Sequence, residues 1–214
     1  MILTGFLRDL FARREAAVAA VAPQAPRVLN VGGGSKEIPI PDHYAEWHHH
    51  LLDIDPSGAP DVVCDARAMT TLAPAQYDAI YCSHNLEHYY AHDVPRVLQG
   101  FLHVLKPDGF AEIRVPDVLA VMRRVVASGL EPSDDLYGRI TVHDVLYGWG
   151  AQIERSGVEF YAHKCGFSAK SLRAALDRAG FAKVLLAEFE EIFELHAFAF
   201  KSPPTDAQRA LLNI

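Results

Sequence analysis

Residues 26–36 read Pro-Arg-Val-Leu-Asn-Val-Gly-Gly-Gly-Ser-Lys, and they carry the strongest structural signal in the chain. The segment Val28–Val31 is apolar apart from Asn30, which predicts a short buried strand. Three glycines follow, and glycine allows positive φ and lets another molecule lie directly against the main chain. The pattern therefore predicts a ligand-binding turn at the carboxyl end of a strand, with a simple sharp bend as the alternative.

A second signal lies one strand further along the chain. Residues 51–56 read Leu-Leu-Asp-Ile-Asp-Pro, which predicts an apolar strand that ends in acidic residues. Nucleotide-binding folds place the carboxylate that holds the ribose hydroxyls about 20 residues after the glycine turn. Asp53 and Asp55 both stand near that offset, and we favour Asp53. Together the two signals favour a nucleotide-like cofactor over a simple bend.

The composition limits the classes of partner. The chain has 214 residues, of which 50% are hydrophobic and 22% charged, so it can form one globular domain. Its formal net charge of -7, without a cluster of Lys and Arg, argues against nucleic acid. Three widely spaced cysteines form no Cys-x-x-Cys pair, which favours free thiols in a reducing compartment. We predict a soluble cytoplasmic protein, a monomer or homodimer, without membrane association.

Apolar spacing divides the chain into three parts. Residues 1–25 predict an amphipathic helix, over residues 4–21, that packs on or caps the domain. Residues 26–201 predict the main domain, because strands and helices alternate there as in a parallel sheet wound on both faces. Residues 117–161 are an aromatic-rich excursion expected over the strand ends, where it contacts substrate or only packs. Residues 202–214 predict a C-terminal tail, which is either frayed or a short helix.

The elements of the main domain follow from the same periodicity. Further strands are predicted at residues 61–65, 77–83 and 110–115, helices at 93–105 and 168–180, and a hairpin at 182–189 and 193–201. Asp65 ends the third strand, where it could reach an adenine amino group or cap the next helix. The run His48-His49-His50 alternates between the two faces of a strand and cannot converge on one ion. We therefore predict no metal site.

Taken together, the ordered motifs resemble the class I S-adenosylmethionine-dependent methyltransferases, particularly the small-molecule branch called methyltransferase type 11. Val-Leu-Asn-Val-Gly-Gly-Gly-Ser is similar to the first family motif and Leu-Asp-Ile-Asp-Pro to the second. Tyr-Asp-Ala-Ile-Tyr-Cys-Ser-His-Asn-Leu-Glu-His and Val-Leu-Lys-Pro-Asp-Gly-Phe are similar to later ones. The resemblance covers residues 26–200. It implies an α/β fold with a Rossmann-like doubly wound seven-stranded sheet, mostly parallel with an antiparallel C-terminal strand.

The resemblance also implies S-adenosyl-L-methionine at the strand ends. It assigns the glycine turn to the methionine part, Asp53 to the ribose and Asp65 to the adenine. The implied cofactor-binding residues are Asn30, Gly32, Gly33, Gly34, Asp53, Ile54, Asp65, Ala66, Ser83 and His84. The family usually has an acid where Asn30 stands and often a glycine where Lys36 stands. We therefore expect weaker cofactor binding or an altered pose.

Methyl transfer is an in-line displacement, so the enzyme mainly holds the reacting atoms together. An oxygen or nitrogen nucleophile must also lose a proton, and histidine suits that step because its pKa lies near neutral. The candidates are His84, His143 and His163. His88 is often structural in the family that the sequence resembles.

The resulting hypothesis is transfer of a methyl group from S-adenosylmethionine to an oxygen or nitrogen of a small-molecule or glycan-type acceptor. One alternative is a non-catalytic S-adenosylmethionine-binding protein of the same fold. A less favoured alternative is an NAD-dependent oxidoreductase, whose Gly-x-Gly-x-x-Gly turn opens directly into a helix. Here Glu37 and two prolines follow the glycines instead.

Overall fold

The computed structural model of the protein describes residues 25–214, so the predicted N-terminal helix lies outside the described residues. A seven-stranded sheet forms the centre of the fold. Its strands are β1 (Arg27–Val31), β2 (His48–Asp53), β3 (Val62–Val63), β4 (Tyr77–Ser83), β5 (Leu105–Pro116), β8 (Lys183–Phe189) and β9 (Glu194–Phe200), and a separate hairpin consists of β6 (Asp135–Tyr137) and β7 (Ile140–Thr141).

The strand order is β3-β2-β1-β4-β5-β9-β8. Strands β1 to β5 pair in parallel, whereas β9 is antiparallel to both β5 and β8. This confirms the Rossmann-like sheet with its antiparallel C-terminal strand. Because β1, β2 and β4 are parallel neighbours, their carboxyl ends lie at one edge, where open α/β sheets bind ligands.

Some helices pack on the sheet, and others form part of the excursion. They are α1 (Val94–Val104), α2 (Val118–Ser128), α3 (Val142–Tyr147), α4 (Gly150–Ser156), α5 (Ala169–Ala179) and α6 (Asp206–Leu212). The ends of α5 follow the sequence signals: the Ser168 hydroxyl accepts a hydrogen bond from the amide of Ser171, and Gly180 ends the helix with φ of 106°. Within residues 25–214, no helix is long and apolar enough to cross a bilayer.

Alternate residues of the strands enter two cores. Leu29 and Val31 of β1 belong to the larger core, together with residues of α1 and α5, and Val28 belongs to the other. This is the period-two pattern of a strand buried on both faces. The smaller core contains Tyr44 and Phe110, and Leu211 of α6 packs against it. The C-terminal segment thus contains a short helix, one of its two predicted forms, and this helix packs against the smaller core.

Candidate cofactor and acceptor site

The glycine turn follows β1 at the ligand-binding edge of the sheet. Gly32 and Gly34 have φ of 73° and 68°, a region that residues with a Cβ rarely adopt. A Cβ at Gly32 would lie 2.0 Å from Nδ2 of Asn85, and one at Gly33 would lie 2.1 Å from Nδ2 of Asn30. Main chain and two amide side chains therefore form the floor of the turn.

Asp53 joins the second strand to this turn. The residue is 8% exposed, its Oδ2 accepts a hydrogen bond from the amide of Gly34 at 2.9 Å, and its Oδ1 accepts one from the amide of Asp55 at 2.9 Å. The carboxylate of Asp55 instead caps the 3-10 helix Pro56–Gly58 by accepting from the amide of Ser57 at 2.8 Å. Of the two acids, Asp53 is the one that contacts the glycine turn.

Asp65 lies beside a cavity of about 100 Å³ that Ile54 and Asn85 also line. Its Oδ1 accepts a hydrogen bond from the amide of Arg67 at 2.9 Å, which caps the short helix Ala66–Thr71. Nη2 of Arg67 lies 2.6 Å from Oδ2, and these hydrogen bonds lower the pKa of the carboxyl. Asp65 therefore acts as a helix cap, and Arg67 competes for the oxygens that an adenine amino group would need.

The remaining cofactor candidates differ in exposure. Asn30 is buried under the turn, and Ser83 is half-buried at the end of β4. Ala66 is 1% exposed and packs in the larger core, away from the wall of the small cavity. The structure thus brings most of the cofactor-binding residues that the resemblance implies to one edge of the sheet. Ala66 is the exception, because its side chain lies in the larger core.

A second cavity, of about 450 Å³, adjoins the first, and His88 lines both. Its volume is in the usual range for small-ligand sites. Apolar and aromatic residues of the excursion form much of its wall, among them Val145, Trp149 and Tyr161. His84 and His163 also line it, and the sheet edge closes the other side through Pro116.

His84 follows β4 with φ of 48°, which turns its side chain towards two carboxylates. Its Nε2 lies 2.9 Å from Oε2 of Glu194 and its Nδ1 lies 3.5 Å from Oε1 of Glu87. Desolvation acts to lower the pKa of His84, whose side chain is 48% exposed, but the two carboxylates outweigh it and raise the pKa to about 9. His84 is therefore a cation at neutral pH and a poor proton acceptor.

Removing Glu194 tests this ion pair. We expect His84 to titrate near pH 9 in the wild type, and Glu194→Gln to shift its pKa down by about one unit or more. Since the folded-state pKa lies above the ordinary 6.5, the stabilisation is full below about pH 6.5 and is lost as pH rises through 9. Imidazole NMR titration measures the shift. A wild-type value near 6.5 would contradict the pairing.

His163 has a different environment. The excursion chain turns at Gly148, where φ is 97° and a Cβ would lie 2.0 Å from the carbonyl oxygen of Tyr161. This close approach lets the amide of His163 donate to the carbonyl of Tyr147 at 2.9 Å. Burial lowers the pKa of His163, so the ring is neutral at neutral pH.

His143 is separated from the other two catalytic candidates. It lies on α3 and lines a smaller apolar cavity of about 250 Å³ with Met122 and Val126, outside the wall of the 450 Å³ cavity. Its ring contacts Tyr147 on the same helix, with centroids 5.0 Å apart. The structure therefore brings His84 and His163 to one cavity but not His143.

Sequence reasoning missed four residues that shape this edge: Glu87, Asn85, Arg67 and Glu194. The first two lie inside the motif after β4 and were visible as polar residues at a strand end. Arg67 follows Asp65 by two positions, a spacing that a capping turn could have suggested. Glu194 stands 110 residues from its partner His84, and nothing in the local sequence indicates that pairing.

Comparison with known proteins agrees with this geometry. A family model described as a methyltransferase domain matches residues 3–186. No curated protein matches the chain.

Solved structures of similar fold include an S-adenosylmethionine-dependent methyltransferase from Archaeoglobus fulgidus, at 16% identity and a TM-score of 0.52, covering 90% of this chain and 94% of that one. A second, from Methanosarcina mazei, has 16% identity and a TM-score of 0.57, with coverages of 83% and 93%. A third, described as a possible exported protein from Bordetella parapertussis, has 16% identity and a TM-score of 0.52. The alignment covers 84% of this chain and 63% of that one. With the family match over most of its length and the shared sheet, the chain belongs to the class I methyltransferases, whose cofactor is S-adenosylmethionine.

Proposed function

We propose that this protein transfers a methyl group from S-adenosylmethionine to an oxygen or nitrogen of a small-molecule or sugar-type acceptor. One observation carries the proposal. His88 lines both the small cavity beside Asp65 and the 450 Å³ cavity under the excursion. A cofactor at the strand ends and an acceptor under the excursion would then meet at this residue. Such contact is the main requirement of the displacement.

The residues at the strand ends fit the cofactor. The bare main chain of Gly32–Gly34 lies between the amides of Asn30 and Asn85, which can both donate and accept hydrogen bonds. Asp53 presents a carboxylate beside that turn, where ribose hydroxyls could donate to it. When bound, S-adenosylmethionine supplies a methyl group on a positively charged sulfur. Asn30 adds no negative charge there, which supports the expectation of modest affinity.

The larger cavity fits an acceptor of moderate size. Its apolar walls would exclude water around the reacting atoms, and Trp149 and Tyr161 offer aromatic surface. His163 suits the departure of the acceptor proton better than His84 does, because burial lowers the pKa of His163 whereas two carboxylates keep His84 charged. The net charge of -7 supports a small acceptor over nucleic acid, and we propose a monomer or homodimer without membrane contact. Three free cysteines support a cytoplasmic location.

An acceptor screen tests the proposal. Purified protein is incubated with S-adenosylmethionine and panels of phenols, amines and sugars, and release of S-adenosylhomocysteine is measured. We expect turnover with a hydroxyl or amine acceptor, and we expect His163→Ala to lower kcat about 100-fold while cofactor affinity is unchanged. His48→Ala, at the opposite end of β2, is the control. Cofactor binding without turnover on any panel would favour the non-catalytic alternative, and turnover only on proteins would overturn the acceptor class.

A further inference from the structure

Three side chains with metal-binding atoms meet in the wall between the two cavities. Glu87 and His88 end the short 3-10 helix Leu86–His88 after β4, and His163 lies two residues beyond the excursion. One ligand atom from each residue lies within 4.8 Å of the others. The carbonyl of Glu87 accepts hydrogen bonds from the amides of Lys164 and Cys165 at 2.8 and 3.1 Å. Backbone contacts thus hold the two segments together.

Both imidazoles make, through Nδ1, a contact with a backbone carbonyl that is common in metal-ligating histidines. Nδ1 of His88 lies 3.0 Å from the carbonyl oxygen of Ala162, and Nδ1 of His163 lies 3.0 Å from that of Val145. A carbonyl can only accept, so each Nδ1 carries the proton and each Nε2 of a neutral ring keeps its lone pair. Metal-ligating histidines almost always donate their other N–H in this way.

The burial of Glu87 also points to a cation in this wall. The residue is 1% exposed, and within residues 25–214 neither of its carboxylate oxygens has a hydrogen-bond partner. The nearest imidazole nitrogens are Nδ1 of His84 at 3.5 Å and Nε2 of His163 at 3.8 Å. His84 already makes its shorter contact to Glu194. The charged ring of His84, at 3.5 Å and shared with Glu194, compensates the buried carboxylate of Glu87 only in part, so a further cation beside Glu87 would be favourable.

We propose that Glu87, His88 and His163 bind one divalent transition-metal ion, Zn²⁺ in preference. Two imidazoles and one carboxylate form a donor set of catalytic zinc sites, which keep a fourth position open. Mg²⁺ and Ca²⁺ prefer oxygen ligands and fit less well. Bonds of about 2.1 Å place ligand atoms about 3.4 Å apart, so ligand atoms that now lie within 4.8 Å of one another must approach by up to about 1.4 Å. His88 and His163 line the 450 Å³ cavity, so the open position faces the acceptor.

The role of the ion rests on the proposed function. A hydroxyl bound at the open position loses its proton to water more readily, because the cation lowers the pKa of the bound oxygen. That oxygen then forms a bond to the methyl carbon, the carbon–sulfur bond breaks, and its electron pair stays on the sulfur of S-adenosylhomocysteine. His163 is then a ligand of the ion and does not itself take the proton.

Metal titration of the full chain tests the site without any activity assay. Protein stripped with EDTA is titrated with Zn²⁺ by calorimetry and with Co²⁺ by visible absorption. We expect one ion per chain, with Glu87→Gln and His163→Ala each lowering the affinity at least about 100-fold. His48→Ala removes an exposed imidazole elsewhere and should bind as the wild type does. Thermal unfolding confirms that each variant folds. Absence of binding, or unchanged binding by Glu87→Gln, overturns the proposal.

Separate measurements distinguish failure of the site from failure of the proposed function. Calorimetry with S-adenosylmethionine on metal-free protein reports cofactor binding alone. Metal binding without any methyl transfer would leave the metal site standing and overturn the function. Methyl transfer that EDTA does not reduce would overturn the role of the ion. Loss of transfer in EDTA and recovery with Zn²⁺, at unchanged cofactor affinity, supports both.

Discussion

Replacing Asp53 with alanine should weaken S-adenosylmethionine binding about 100-fold, whereas Asp55→Ala should change it less than about fivefold. A hydrogen bond to a charged group contributes about 1.5–3 kcal/mol, and two ribose hydroxyls would donate to Asp53. The same substitution removes the hydrogen bond that Asp53 accepts from the amide of Gly34, so the glycine turn is also less well held. The carboxylate of Asp55, which the substitution removes, accepts its hydrogen bond from Ser57 in its own capping turn. Titration calorimetry of both variants measures the difference.

Asp53→Asn is the matched control, because it keeps the shape and one acceptor oxygen but removes the charge. We expect an affinity between those of the wild type and Asp53→Ala. Thermal unfolding separates a loss of binding from a loss of fold. Equal effects of the two alanine substitutions on binding would contradict the assignment of Asp53 to the ribose.

Gly58→Ala should weaken cofactor binding at least about tenfold, although Gly58 lies 24 residues beyond Gly34 in sequence and touches no predicted ligand. A Cβ at Gly58 would lie 1.8 Å from the carbonyl oxygen of Gly34, and backbone cannot move aside as a flexible side chain can. The glycine turn must therefore shift. Overpacking of this kind costs about 1–3 kcal/mol of the free energy of unfolding. Calorimetry and thermal unfolding measure the two effects.

Gly129→Ala is the control for the loss of a glycine. Gly129 ends α2 with φ of 64°, and a Cβ there would meet nothing within 4 Å. It should cost about 1 kcal/mol of stability through backbone strain and leave cofactor affinity unchanged. If both glycine variants bind the cofactor as the wild type does, the 3-10 helix Pro56–Gly58 does not support the turn.

Local patterns predicted the sheet and its cofactor edge. The apolar runs before Gly32 and Asp53 became β1 and β2, and the predicted segment 77–83 became β4 with the same bounds. The terminal hairpin also formed as predicted. The signals for these features are local in sequence: the apolar periodicity of a strand, and the glycine or acidic residue at its end. The C-terminal helix was predicted only as an alternative to a frayed tail, although Thr205 and Gln208 form a capping box that the sequence displays.

Side-chain partnerships were not predictable, because they join distant segments. The pairing of His84 with Glu194 makes a candidate base into a cation, and no local signal indicates it. The separation of His143 from the cavity depends on which face of α3 packs inward. The contact of Glu87 with His163 likewise requires the excursion to fold back over the end of β4. The site residues therefore stay predictions until a ligand locates them.

A crystal structure with S-adenosylhomocysteine bound would locate the cofactor. We expect ribose hydroxyls within hydrogen-bond distance of Asp53, the amino-acid part against Gly32–Gly34, and the sulfur facing the cavity lined by His88 and His163. A ligand bound at another edge of the sheet, or a sulfur that faces away from that cavity, would contradict this placement.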